Sequence, residues 1–129
     1  MINFGKNQYE DSLLISGWGF TEENSRWAIA KKADLQLITQ EEKNYTRLTI
    51  ETFSLKEPQN ITIFLDGKNL GSQKIYSRWS FQYFPITEKI YPGIHEIIFV
   101  FSNTYKPSVV MLSADTRDLA VRFKRIQIE

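Results

Sequence analysis

The fold class that this sequence predicts is all-β: an antiparallel β-sandwich of the jelly-roll type with seven to nine strands. Three observations predict it. Apolar and polar residues alternate with a period of two in one segment after another, no window carries a convincing 3.6-residue period, and turn-forming residues punctuate the alternating runs at short intervals.

Taken in order, the first clear strand spans residues 33–39, where Ala33, Leu35 and Leu37 share one face. Residues 45–55 alternate over their whole length. Residues 61–65 form the next run and end in Asp66-Gly67, a pair suited to the positive φ angles of a tight hairpin turn. Residues 80–84 follow, closed by Pro85, and residues 94–101 are apolar nearly throughout. Such a run suits a strand buried on both faces or an aromatic-rich central strand. The last run turns Leu119, Val121, Phe123, Ile126 and Ile128 inward, with a phase shift at Lys124-Arg125 that predicts a bulge. Two segments do not read as plain strands: residues 17–27, with Gly17 and Gly19, and residues 103–117, with Pro107. Both are long for turns, and long ordered loops often carry function.

The 129 residues fit one sandwich domain, 1–129, with residues 1–11 as an irregular N-terminal arm. With no cysteine, disulfides, thiol catalysis and Cys-based zinc sites are excluded, and the lone histidine, His95, excludes a histidine-rich metal centre. In its apolar strand His95 is expected to be a hydrogen-bonded edge or core residue. A net charge of +1 provides no general field for nucleic acid, so none is expected as a partner. No apolar run reaches bilayer length, so direct membrane insertion is not expected. Aromatic residues are abundant at 14%, which leaves room for some on a binding surface.

The two irregular segments carry a family resemblance. Gly17-Trp18-Gly19-x-x-Glu22-x-x-x-Arg26-Trp27 resembles the opening of a family of bacterial jelly-roll modules, roughly Gly-aromatic-small-x-Pro-Glu followed by Gly-Arg-Trp. Asp115-x-Arg117-x-Leu119-Ala120 is similar to the closing Asp-x-Arg-x-Leu-Gly motif of the same family, and residues 61–71 to its central hairpin. The resemblance covers about residues 12 to 128. Thr21, Ser25 and Ala120 stand where the family has Pro, Gly and Gly. Such modules are appended to glycosyltransferases and related membrane enzymes that build bacterial surface polysaccharides, and their fold resembles carbohydrate-binding modules. The resemblance thus implies a non-catalytic accessory role, an attached or neighbouring glycosyltransferase domain as partner, and a bacterial cytoplasmic or cell-envelope setting.

The residues themselves give candidate ligand contacts. Glu22, Arg26, Asp115 and Arg117 can line one polar pocket for sugar hydroxyls, with Trp27 offering an indole face; equally, they can form an ion-pair clasp between the first loop and the last strand, with Trp27 as a plug. Trp18, flanked by glycines, is expected to be more exposed than Trp27. Trp79 shares a strand face with Phe81 and Tyr83. Facing inward that row is core, the plainer expectation; facing outward it is a stacking platform. Glu22, Glu23, Asp66, Asp115 and Asp118 are the carboxylates that glycosidase chemistry would draw on, but a small sandwich seldom offers the required cleft, and no enzyme is expected. No cofactor is required. The oxygens of residues 113–118 would be the place for a structural calcium, although Arg117 lies between the carboxylates.

The function expected is non-catalytic recognition of a glycan, a bacterial surface polysaccharide or its precursor, by Trp18, Glu22, Arg26, Trp27, Trp79, Asp115 and Arg117. The alternative is a protein-interaction module that packs on a catalytic or membrane domain and binds no sugar.

Overall fold

The computed structural model describes residues 2–5, 13–40 and 42–129. These residues build a jelly-roll sandwich of two antiparallel sheets. Seven strands of six to nine residues make up its body: β5 (Lys32–Thr39), β6 (Arg47–Ser54), β7 (Asn60–Leu65), β8 (Lys68–Lys74), β9 (Ser80–Pro85), β10 (Gly93–Phe101) and β11 (Val121–Ile128). Four shorter strands precede them: β1 (Ile2–Asn3), β2 (Leu14–Ser16), β3 (Trp18–Thr21) and β4 (Arg26–Ala28). A single helical turn, α1 (Pro107–Val110), sits in the segment before β11. One sheet has the order β3-β4-β11-β6-β9, with β1 also paired to β11; the other has the order β2-β5-β10-β7-β8.

The alternation places the core as the sequence predicts. Ala33, Leu35 and Leu37 of β5 are buried, as are Val121, Phe123 and Ile126 of β11, and they meet Leu48 and Ile50 of β6 and Ile97, Phe99 and Phe101 of β10. Asp66 (φ 49°) and Gly67 (φ 82°) make the predicted two-residue turn between β7 and β8. The predicted bulge in β11 is present as well: the pairing with β6 shifts between Phe123 and Arg125. Strand β10 is the aromatic-rich central kind, since its outward residues Ile94 and Val100 are exposed.

Three findings differ from the expectations. The start of the chain is not irregular, because Ile2 and Asn3 pair with Ile126 and Arg125, and Phe4 is completely buried; the rest of the expected arm, residue 1 and residues 6–11, lies outside the described residues. Residues 17–27, expected as a loop, form the β3–β4 hairpin. The row Trp79, Phe81 and Tyr83 faces outward rather than into the core. Gln82 and Phe84 take the inward positions of β9, and the Gln82 amide is satisfied there by Thr52 and Ser80.

Candidate functional site

Gly17 fixes the entry to the β3–β4 hairpin. Its φ is +86°, and a Cβ there would lie 2.3 Å from the Lys32 carbonyl oxygen, so only glycine lets β3 cross so close to β5. The chain turns back where the Glu22 amide donates to the Ser25 carbonyl (2.8 Å). Pairing runs from Trp18↔Ala28 to Thr21↔Arg26, so β3 holds one residue more than β4 over this stretch. That extra residue breaks the alternation. Trp18 turns to the core, packed on Phe4, Phe99 and Phe123, and its indole N–H donates to the Asp34 carbonyl (2.8 Å). Phe20, two positions on, does not follow it inward and is 88% exposed.

The segment before β11 is braced against this hairpin. Arg117 donates through Nε and Nη2 to both carboxylate oxygens of Asp115 (2.8–3.1 Å), and the Arg117 backbone amide donates to Asp115 Oδ1 (3.0 Å). The Asp115 carboxyl is thereby held below the usual aspartate range, chiefly by the Arg117 side chain and next by its amide. Arg117 Nη2 lies 3.9 Å from the Glu22 carboxylate across the gap between the two segments. Arg26 turns its guanidinium back on its own hairpin, to the Gly19 carbonyl (3.0 Å) and the Thr21 hydroxyl. Trp18, Gly19, Phe20, Arg26, Ile29 and Arg117 enclose a hollow of about 350 Å³.

The seven predicted residues therefore divide. Trp18, Glu22, Arg26, Asp115 and Arg117 come together at one end of the sandwich. Arg117, paired with Asp115, reaches toward Glu22 across the two segments, and the hollow beside them is lined by Trp18, Arg26 and Arg117 but not by Glu22 or Asp115. Asp115 faces Arg117 and serves to position it. Trp27 and Trp79 lie elsewhere, on the outer face of the six-stranded sheet. Trp27 is buried at 7% exposure, but under Arg122 and against Phe53 rather than between the sheets. Trp79 packs on Phe53 and beneath Lys124.

Phe20 is the residue that sequence reasoning missed. Its signal was its place between Gly19 and Thr21 in the same glycine-flanked segment as Trp18; the chain gives the larger ring to the core and the smaller one to solvent. His95 meets its expectation, with Nδ1 2.6 Å from Asp66 Oδ2 and Nε2 2.6 Å from the Tyr91 carbonyl. Among the described residues, no group of three or more His, Asp or Glu side chains is arranged to hold a metal ion.

No family model matches the chain, and no curated protein matches it in sequence. Solved structures match in shape. A family 35 carbohydrate-binding module from an environmental isolate superposes with a TM-score of 0.52 at 15% identity, covering 100% of this chain and 85% of that one. A family two carbohydrate esterase from Clostridium thermocellum, in complex with cellohexaose, gives 0.59 at 14% identity over 91% of this chain. The cycloalternan-forming enzyme from Listeria monocytogenes, in complex with a pentasaccharide substrate, gives 0.52 at 14% identity over 86% of this chain. This chain spans 30% of the esterase and 10% of the cycloalternan-forming enzyme. At these identities the likeness is one of fold: the chain is a jelly-roll sandwich built like a carbohydrate-binding module.

Proposed function

We propose that this chain is a non-catalytic carbohydrate-binding module that recognises a bacterial surface glycan or its precursor at the hollow between the β3–β4 hairpin and the segment before β11. The observation that carries the reading is Phe20, a ring 88% exposed that shares the hollow with Arg117, which in turn reaches toward Glu22. A pyranose offers an apolar C–H face and a rim of hydroxyls. Phe20 and Ile29 suit the face, Glu22 accepts from hydroxyls, and the Arg117 guanidinium donates to them. Trp18 and Arg26 wall the hollow, and Asp115 keeps Arg117 in place.

A hydrolytic role fits Asp115 poorly: a glycosidase needs one carboxyl that stays protonated to act as an acid, and Arg117 holds the Asp115 carboxyl below the usual aspartate range. Binding at one such site is weak, on the order of 10 μM to 1 mM, and the module would serve by keeping an attached or neighbouring glycosyltransferase near its polymer.

The test is calorimetric titration with a panel of bacterial surface oligosaccharides. Wild type is expected to bind at least one, and Phe20→Ala to weaken it by about tenfold or more while changing stability by less than about 0.5 kcal/mol. Silence from the whole panel, or a Phe20→Ala variant that binds as well as wild type, contradicts the reading.

A second reading, a protein-docking module, is favoured by one observation: Val109, Met111 and Leu112 are all exposed on and just after α1. It predicts that Leu112→Ser breaks capture of an adjacent glycosyltransferase domain and that no glycan binds.

A further inference from the structure

The outer face of the six-stranded sheet has a chemistry of its own. The register sets out its rows. Trp27, Arg122 and Phe53 lie side by side across β4, β11 and β6; Arg125, Glu51 and Phe81 form the next row, and Gln127, Thr49 and Tyr83 the one after. Trp79, Phe81 and Tyr83 thus run along the β9 edge, one ring every two residues, over about 14 Å for three rings. Trp79 is partly covered, whereas Phe81 and Tyr83 stand open at 49% and 48% exposure.

Cations flank these rings. The β11 bulge places two consecutive residues on the outer side, so Lys124 and Arg125 both reach Glu51, at 3.9 and 2.8 Å. Lys124 Nζ also lies 4.3 Å from the centre of the Trp79 ring. The Arg47 guanidinium stacks 4.6 Å from the Tyr83 ring and meets Glu129 at 3.1 Å. Arg122 sits between Trp27 and Trp79 and donates to the Ser25 hydroxyl (2.5 Å). Four cations thus face two carboxylates, on a chain whose net charge is only +1.

We propose that this face is a second ligand site, separate from the hollow, and that it takes a carboxylate-bearing polysaccharide such as a uronic-acid polymer. Open rings on a straight strand suit successive sugar units of a linear chain. The cation excess suits uronate carboxylates, and Arg47 has the planar fork to receive one. Single-stranded nucleic acid also uses rings among cations. Here Glu51, buried beneath Lys124 and Arg125, and the more open Glu129 interrupt the positive field and repel a phosphodiester backbone.

The experiment titrates the full chain with oligoglucuronate, oligomannuronate, cello-oligosaccharide of equal length and oligo(dT). At least one uronate is expected to bind, in preference to the neutral glucan, and to weaken as salt rises through the range that screens exposed charge. Phe81→Ala with Tyr83→Ala is expected to reduce binding by about tenfold or more, as is Arg47→Gln with Lys124→Gln, which leaves the rings in place. Phe20→Ala is expected to leave it unchanged, so loss at the hollow and loss at this face are read separately. The proposal is overturned by any of four results: no uronate binds, the neutral glucan binds equally and independently of salt, oligo(dT) binds more tightly than either uronate, or the Arg47/Lys124 variant binds as wild type does.

Discussion

At the scale of single residues, the site depends on positions whose chemistry admits few substitutes. Gly17 is the clearest. Its positive φ and the 2.3 Å approach of the Lys32 carbonyl leave no room for a side chain. Gly17→Ala is therefore expected to cost about 3 kcal/mol or more of stability, read as a lower urea midpoint; a cost under about 1 kcal/mol would mean that β3 does not pass β5 as described. Asp115 gives a pH signature. Its pKa is lowered from the ordinary 3.8 by the Arg117 side chain, then by the Arg117 amide. A depressed carboxyl stabilises the folded form fully above its unfolded value and loses that contribution as pH falls through the folded one. Glycan binding and the thermal midpoint should therefore hold level from neutral pH down to about 4 and drop below it. Asp115→Asn should remove the low-pH step in binding and reduce that in the thermal midpoint, where Glu129, lowered by Thr49 and Arg47, also contributes, as titrations at stepped pH would show. Phe20 and Trp18 show what residue-level reading misses: both are aromatic in a glycine-flanked stretch, and which one faces water depends on a bulge that leaves no mark in residue type.

At the scale of elements, the two bulges decide which side chains reach the surface. In β11 the inward residues are Val121, Phe123, Ile126 and Ile128, with Lys124 the extra residue. Deleting Lys124 would restore simple alternation and leave all four inward. It should cost only about 1–2 kcal/mol, chiefly the hydrogen bond from the Phe4 amide to the Lys124 carbonyl. Deleting Arg122 would turn every later residue over and should prevent folding. Urea unfolding of the two deletion variants checks the contrast. This bulge was legible in the sequence because the apolar pattern itself slips there. The outward turn of β9 was not, because either face of residues 79–84 holds rings, and only the pairing with β6 shows that Phe84 is the buried one. Gln59 was equally silent. It is almost completely buried, its amide donates to the carbonyls of Asn103 and Ala120, and its oxygen accepts from the amides of Asn60 and Asn103. Nothing local to Gln59 shows that two distant chain segments, at Asn103 and at Ala120, meet at it.

At the scale of the molecule, period-two alternation was enough to predict two sheets closed over an apolar interior, because that layout buries every inward face at once. The sequence also marked the turn at Asp66-Gly67 by its residue types, and the charges of the two irregular segments, not the alternation, raised the gathering of Glu22, Arg26, Asp115 and Arg117 at one end. It did not show that Trp27 and Trp79 belong to a different surface, since strand order brings them together through β11 and β6, far away in sequence. The molecule thus offers two ring-bearing surfaces, the hollow at one end and the outer face of one sheet, while the aliphatic residues Ile38, Ile94 and Val100 cover part of the other sheet. The central claim is that the end hollow binds a glycan. Amide chemical-shift mapping of the labelled chain during titration with bacterial surface oligosaccharides tests it most directly. The account predicts shifts at Gly19, Phe20, Glu22, Arg26 and Arg117 that saturate together in the micromolar-to-millimolar range. Saturating shifts that avoid these residues, or a spectrum that no oligosaccharide changes, would contradict it.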